Sequence, residues 1–262
     1  MKNKIILHLP HSSLELPDLF YNKDLMATQD EVDKLNFEIT DLYTDDLFNI
    51  DKYDSVKAKY SRIFCDVERF PNDKKEEMSK FGRGMIYTKD LRGKVIRKPN
   101  KNYRNEILNN YYKQYHAEFS EKVNYELMKN EKVIIVDCHS FAKSGIESIK
   151  DVGYLPDICI GVNEVNKRNF KLITIVLVYF DELGYDVMLD YPYQGSIMPN
   201  KIKKNKKNLY SIMIEINKDI YLKGKDKNEK FDKLKEDIKL LLKILENIDL
   251  NKGVRNGKVL PQ

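Results

Sequence analysis

The chain has 262 residues, 42% of them hydrophobic and 33% charged, which excludes a wholly disordered protein because a full core can form. The net charge is +5, and the stretch Lys201–Lys207 alone contains five lysines and no acidic residue, so the rest of the chain is close to neutral. Nucleic-acid binding requires basic residues spread over a surface and interleaved with aromatic ones, so we expect no nucleic-acid partner. No apolar run approaches the ~20 residues that span a bilayer, and the N-terminal segment lacks a secretion signal. We therefore expect a cytoplasmic protein without a membrane partner.

The first predicted elements place polar residues where strands end. In chain order they are a strand over Lys4–Leu9, an amphipathic helix over Asp30–Ile50, strands over Val56–Lys59 and Ile63–Val67, and a long loop over residues 72–102. His11 follows the first strand, and Asp41 lies within the predicted helix.

The second half alternates strands with helices. It contains a helix over Tyr103–Lys129, strands over Val133–Val136 and Ile158–Gly161, a helix over Asn163–Leu183, strands over Asp186–Leu189 and Ile212–Ile216, and a helix over Phe231–Ile248. This alternation predicts a three-layer α/β/α fold with a largely parallel sheet. We expect one domain over residues 1–250 and a tail over residues 251–262.

Two of the four histidines, His11 and His139, follow predicted strands within short polar segments. Ligands bind at the carboxyl ends of strands in such sheets, and two imidazoles with one carboxylate form a zinc site with an open position. Asp137 lies two residues before His139 on the same side of an extended strand. We expect its carboxylate to hold the other nitrogen of that imidazole.

A hydrolytic site also needs a base and cationic donors. Glu215 is the candidate base, because it interrupts an apolar strand in which an isolated carboxylate is costly. Arg62 and Arg69 flank the segment Ile63–Val67 and are candidate donors to an oxyanion or a carboxylate.

Eight short motifs in this order resemble the N-formylglutamate amidohydrolase family. They are Pro10-His11-Ser12, Thr40-Asp41, Tyr60-Ser61-Arg62, Asp66-Val67-Glu68-Arg69-Phe70-Pro71, Tyr115-His116, Asp137-Cys138-His139-Ser140, Leu155-Pro156-Asp157 and Ile214-Glu215-Ile216. The resemblance implies a relative of the zinc carboxypeptidases, with a phosphorylase/hydrolase-like fold and a mixed sheet. It also implies one zinc ion per chain, whose bound water attacks an amide carbonyl.

The resemblance also implies roles at the metal. His11 and His139 match the family's histidine ligands, and Glu215 matches the carboxylate that activates water. Asp41 is the favoured third ligand, with Glu15, four residues beyond His11, as the alternative. Other divalent metals also suit His and carboxylate ligands.

The same resemblance assigns substrate contacts. Arg62 would polarise the scissile carbonyl, and Arg69 would pair with a substrate carboxylate through its guanidinium fork. Glu68 stands where the family usually has Asn, and it can neutralise Arg69. His116 matches a family histidine on the long helix and is included among the substrate-binding candidates.

These observations favour a zinc-dependent amidohydrolase acting on a small anionic N-acyl amino acid such as N-formylglutamate. One alternative is a carboxypeptidase-like or amidase activity on peptides. Another is a non-catalytic binding protein on the same fold. The oligomeric state is left open.

Overall fold

The computed structural model describes residues 2–48, 51–148, 153–166, 168–202 and 206–250. The predicted tail, residues 251–262, lies outside the described residues, as do Ile50, Lys203 and Lys204. One domain over residues 1–250 stays a prediction.

Six strands form the central sheet. They are β1 (Lys4–Leu9), β2 (Asp54–Lys57), β3 (Val133–Phe141), β4 (Ile158–Gly161), β5 (Val187–Leu189) and β6 (Leu209–Asn217), and a separate pair contains β7 (Leu222–Lys223) and β8 (Asp226–Lys227). The order is β2-β1-β3-β6-β4-β5. Neighbours are parallel except β4 and β6, which are antiparallel. The predicted mixed, largely parallel sheet is confirmed.

Helices cover both faces of this sheet. They are α1 (Gln29–Ile39), α2 (Thr44–Phe48), α3 (Lys101–Ile107), α4 (Lys113–Lys129), α5 (Lys143–Glu147), α6 (Phe170–Glu182) and α7 (Phe231–Asn247). Side chains of α2, α6 and α7 share one apolar core with Leu7 and Val136. Side chains of α1, α3 and α4 share the other with Ile6 and Ile135. This division follows from the two-residue period of the strands.

Two predicted helices differ in detail. A π-helical turn over Leu108–Tyr112 joins α3 to α4, so the helix predicted up to Lys129 is present with one wider turn. The helix predicted from Asn163 begins at Phe170.

None of the helices in the described parts of the chain combines the length and apolar character needed to cross a bilayer. A cytoplasmic location stays a prediction.

The helix predicted over Asp30–Ile50 is broken within its described part. α1 ends at Ile39 and α2 begins at Thr44, and Tyr43 between them has a φ of 60°, which is uncommon for a residue other than glycine. The amide of Asp41 donates to the carbonyl of His11 at 3.0 Å. The break therefore takes Asp41 off the helix and places it beside the end of β1.

The strand predicted over Ile63–Val67 is wrong. This segment is a series of turns, in which the amide of Phe64 donates to the carbonyl of Ser61 at 3.0 Å and the amide of Glu68 donates to Asp66 Oδ1 at 3.2 Å. Its apolar residues are buried as loop residues of the core. The apolar pattern that predicted a strand arises because these side chains are buried, although their backbone pairs with no strand among the described residues.

The polar residues Asp137 to Ser140 were expected after a strand, but they belong to β3. Their backbone continues the ladder, so that Asp137 pairs with His8 of β1 and His139 pairs with Glu215 of β6. Three neighbouring strands thus carry ionisable side chains next to one another.

Candidate metal centre and active-site cavity

A cavity of about 570 Å³ lies at the carboxyl ends of β1, β3 and β6. His11 follows β1, while His139 and Glu215 are paired residues of β3 and β6, and all three line the cavity. Asp41, from the break between α1 and α2, and Arg62, from the turns after β2, also line it. This is the sheet edge at which ligands bind in open α/β folds.

The structure brings together three of the residues that the sequence assigned to a metal. His11, Asp41 and His139 are all buried, and each presents a ligand atom within 4.8 Å of the others. His139 Nδ1 lies 3.2 Å from Asp41 Oδ2, and His11 Nδ1 lies 3.8 Å from the same oxygen. Two imidazoles and one carboxylate at these separations suit a tetrahedral ion whose fourth position stays open.

One atom of this group lacks a hydrogen-bond partner among the described residues, and it is the buried Nδ1 of His11. A buried polar atom without a partner is costly and needs an explanation. The other nitrogen of the ring, Nε2, donates to Asp66 Oδ1 at 2.9 Å, which leaves a lone pair on Nδ1 pointing at the cluster. Burial also lowers the pKa of His11, which favours the neutral, ligating form. These features fit a metal ligand.

His139 is held between two carboxylates. Its Nε2 donates to Asp137 Oδ1 at 3.1 Å, while Nδ1 contacts Asp41. Although burial acts to lower it, the carboxylates of Glu68 and Asp137 hold the pKa of His139 well above its usual value. In the metal-free protein a proton on His139 therefore supplies the positive charge that the surrounding acids require.

Glu215 faces the same cavity from β6. It is 7% exposed, and its Oε2 has no hydrogen-bond partner within the described ranges. Burial raises the pKa of Glu215 to about 8, and the negative charges of Asp41 and Glu68 act in the same direction. A carboxylate with a pKa near neutrality, beside a candidate metal position, is suited to proton transfer.

Arg62 and Arg69 both pair with the fully buried Asp66. Arg62 donates to Asp66 Oδ2 through Nε at 3.2 Å and Nη2 at 3.0 Å, whereas Arg69 Nε lies 3.6 Å away. Although burial acts to raise it, Arg62 and His11 hold the pKa of Asp66 well below its usual value. Because Arg62 forms the two shorter contacts with the Asp66 carboxylate, the guanidinium of Arg69 remains available to an anion in the cavity.

The expectation that Glu68 neutralises Arg69 does not match the observed contacts. Glu68 Oε2 lies 3.3 Å from His139 Nε2 and 3.7 Å from His11 Nδ1, and Oε1 lies 3.7 Å from His8 Nδ1. The turn over residues 66–69 aims the Glu68 side chain at the histidines. Glu68 therefore adds negative charge to the group of candidate metal ligands.

Two candidates lie away from the cluster. Glu15 is exposed and belongs to neither group of possible metal ligands among the described residues, so the structure does not bring it to His11. His116 does not line the cavity; its Nε2 donates to the carbonyl of Val67 at 2.7 Å and its ring contacts Tyr112. Through this hydrogen bond it supports the turn that carries Glu68.

Sequence reasoning missed three residues at the site. His8 is fully buried in β1 and donates to Asp137 Oδ1 at 2.7 Å; Lys218 is buried and donates to the carbonyl of Thr40 at 2.6 Å. Arg83 lines the cavity without a carboxylate partner among the described residues. The signal that identified Glu215, an ionisable residue in an apolar strand, was also present at His8. Arg83 lay in the long loop and carried no such signal.

Comparisons with known proteins agree with this architecture. The family model described as N-formylglutamate amidohydrolase matches residues 3–222. A crystal structure of N-formylglutamate amidohydrolase from Ralstonia eutropha JMP134 is similar with a TM-score of 0.78 and 23% identity, covering 93% of each chain. A gene product from Agrobacterium tumefaciens is similar with a TM-score of 0.65 and 19% identity, covering 94% of this chain and 92% of that one. These two structures show the fold alone. No curated protein matches significantly.

Proposed function

The chain belongs to the N-formylglutamate amidohydrolase family, and from this premise we propose that it is a zinc-dependent enzyme that cleaves the amide of a small N-acyl amino acid such as N-formylglutamate. The observation that carries the proposal is the convergence of His11 Nδ1, Asp41 and His139 Nδ1, with the first of these atoms lacking any other partner in the described chain. Hydrolysis of a linear amide is the activity that this arrangement supports best.

His11, Asp41 and His139 would hold the ion. Asp66 and Asp137 orient the two imidazoles from outside this group through the opposite ring nitrogens. When bound, a divalent ion supplies Lewis-acid chemistry by polarising a carbonyl oxygen and lowering the pKa of water.

Glu215 moves the proton in this proposal. Its Oε2 faces the cavity without a partner in the described chain, and it accepts the proton from the attacking water before delivering it to the leaving amine. The positive charge of a bound ion favours the carboxylate form that this role requires. A glutamine at this position keeps the shape of the side chain and cannot accept the proton.

Cationic side chains fit the cavity to an anionic substrate. Arg62 sits beside the metal cluster, with Nη1 3.7 Å from Asp41 Oδ1, and is placed to donate to the oxygen of the scissile carbonyl. Arg69 and Arg83 line the cavity and are placed to bind carboxylates. Since N-formylglutamate carries two carboxylates, two such guanidinium groups suit it.

The experiment combines metal content with a substrate screen. Protein purified without an affinity-tag metal column is analysed by plasma mass spectrometry, and then assayed for amine release from N-formyl and N-acetyl amino acids and from peptides. We expect about one zinc ion per chain and activity on an acidic N-acyl amino acid. Absence of metal after zinc is offered in excess would refute the proposal. Activity confined to peptides would show that the proposed substrate class is wrong, while the proposed metal-dependent hydrolysis of an amide would stand.

A further inference from the structure

A buried chain of hydrogen bonds runs from helix α4 to the candidate metal ligand His139. Tyr115 donates from its hydroxyl to His8 Nε2 at 2.7 Å, and His8 Nδ1 donates to Asp137 Oδ1 at 2.7 Å. The same carboxylate oxygen accepts from His139 Nε2 at 3.1 Å. His8 is fully buried and does not line the cavity, and Tyr115 is buried on α4. Their hydrogen bonds reach the site through Asp137, and Glu68 Oε1 lies farther from His8 Nδ1, at 3.7 Å.

The donor and acceptor roles along this chain follow from Asp137. A carboxylate accepts hydrogen bonds, and Oδ1 of Asp137 lies between two ring nitrogens, 2.7 Å from His8 Nδ1 and 3.1 Å from His139 Nε2. The protons therefore sit on His8 Nδ1 and His139 Nε2. Asp137 Oδ2 accepts from the amide of Ile197 at 2.8 Å, which fixes the carboxylate from its other side.

The tautomer of His139 is the property that matters for a metal. Because Asp137 holds a proton on Nε2, Nδ1, which lies 3.2 Å from Asp41 Oδ2, is the nitrogen that would give up its proton and bind an ion. His8 is itself held in one orientation, because Tyr115 occupies its Nε2 and its ring stacks on Phe119 at 4.8 Å. The orientation of the His139 ring thus depends on Asp137 and, behind it, on His8 and Tyr115.

The same residues also form a second group of possible metal ligands, His8, Glu68, Asp137 and His139. The hydrogen bonds favour a positioning network over a second ion. Both nitrogens of His8, and the nitrogen that His139 presents to this group, already have partners. His11 Nδ1, in the first group, has none among the described residues. A second ion would also require His139 to bind metal through both of its nitrogens.

We propose that His8 and Tyr115 are positioning residues that fix the tautomer and orientation of His139 through Asp137, and thereby set the affinity of the site for its metal. The inference rests on the proposed function only in taking His139 as a metal ligand. Loss of partners beyond the metal ligands typically weakens metal binding by about 10- to 100-fold. We expect about tenfold for these more distant residues.

The test measures zinc affinity by competition with a chromophoric chelator. Tyr115→Phe removes one hydroxyl and keeps the ring, and His8→Leu removes both hydrogen bonds of the imidazole. His8→Asn is the rescue variant, because its amide nitrogen can occupy the place of Nδ1 and donate to Asp137. Tyr112→Phe is the matched control, since Tyr112 is as buried as Tyr115 and also contacts the ring of His116, whereas His8 Nε2 accepts its hydrogen bond from Tyr115.

We expect about tenfold weaker zinc binding in Tyr115→Phe and His8→Leu, recovery in His8→Asn, and wild-type binding in Tyr112→Phe. Nitrogen NMR of the metal-free protein gives a second readout, in which the ring nitrogens of His139 shift in Tyr115→Phe. If His8→Leu fails to fold, Tyr115→Phe and His8→Asn still decide the question.

Unchanged zinc affinity and unchanged His139 resonances in these variants would overturn the inference. Retention of zinc by His11→Ala, followed by its loss when Glu68→Gln is added, would overturn it in favour of a second metal position. The proposed function is judged separately. Altered zinc affinity in a protein that hydrolyses no N-acyl amino acid would sink that function and leave the positioning role intact.

Discussion

Replacement of Glu215 by glutamine tests the site through stability as well as through turnover. The carboxylate is buried in β6, and burial raises its pKa from an ordinary value of 4.5 to about 8 in the metal-free protein. Glu215→Gln keeps the volume and removes the charge. We expect it to retain zinc and to lose turnover by about 10²- to 10⁴-fold, the usual contribution of a general base.

The same shift makes a prediction about pH. Because the folded state binds this proton more tightly than the unfolded chain, the proton stabilises the fold fully below pH 4.5. That contribution is lost as the pH rises from 4.5 towards 8. Each pH unit within this window is worth about 1.4 kcal/mol, so the wild type should lose about 2 to 3 kcal/mol relative to Glu215→Gln between pH 5 and pH 7.

Urea unfolding of the metal-free proteins, followed by circular dichroism at pH 5, 6 and 7, measures this difference. Glu118→Gln is the control, because Glu118 is exposed on α4 and its replacement should give a curve parallel to the wild type. Parallel curves for the wild type and Glu215→Gln would refute the reasoning, since they would mean that the carboxylate is as well solvated in the fold as in the unfolded chain.

Three further substitutions address the remaining parts of the site. Asp41→Asn should reduce zinc from about one ion per chain to a small fraction, while Glu15→Gln should leave it unchanged, both measured by plasma mass spectrometry. Arg69→Gln should raise KM for an acidic N-acyl amino acid by roughly 10- to 100-fold with a smaller change in kcat, in steady-state kinetics. Lys218→Met removes the charged donor of the Thr40 carbonyl, which keeps the amide of Leu42 at 2.9 Å, and should lower the free energy of unfolding by about 1 to 3 kcal/mol in urea.

Each of these has an outcome that contradicts it. If Glu15→Gln lost zinc and Asp41→Asn kept it, the third metal ligand would be Glu15 and not Asp41. A fall in kcat with an unchanged KM would move Arg69 from substrate binding to the reaction itself. Unchanged stability of Lys218→Met would mean that the amide of Leu42 satisfies the Thr40 carbonyl without the ammonium group.

Different signals in the sequence predicted the sheet and the polar residues of the site. The alternation of strands and helices predicted the sheet, and His139 was identified because it follows the apolar run Val133–Val136. Glu215 was identified because a charged side chain within the apolar strand Ile212–Ile216 is costly unless it has a use. His8 carried the same signal inside β1. Its imidazole is explained only by Asp137 and Tyr115, which are distant along the chain.

Other features depended on contacts that no local pattern records. The break before α2 follows from the hydrogen bond between Asp41 and the His11 carbonyl, although the apolar repeat continues across it. The turns around Asp66 replace a predicted strand, because the buried carboxylate binds His11 and Arg62 at once. Local propensity is overridden in both cases by tertiary contacts at the site.

The distances along the chain between the site residues have a consequence for folding. Asp41 and His139 are separated by 98 residues, and His8 and Asp137 by 129, so the cluster exists only after β1, α1 and β3 have come together. An unfolded or partly folded chain therefore offers no preformed place for an ion. Zinc at a hundred times its dissociation constant would stabilise the native state by about 2.7 kcal/mol. Metal uptake should thus report completed folding, and removal of the ion should expose the protein to proteases.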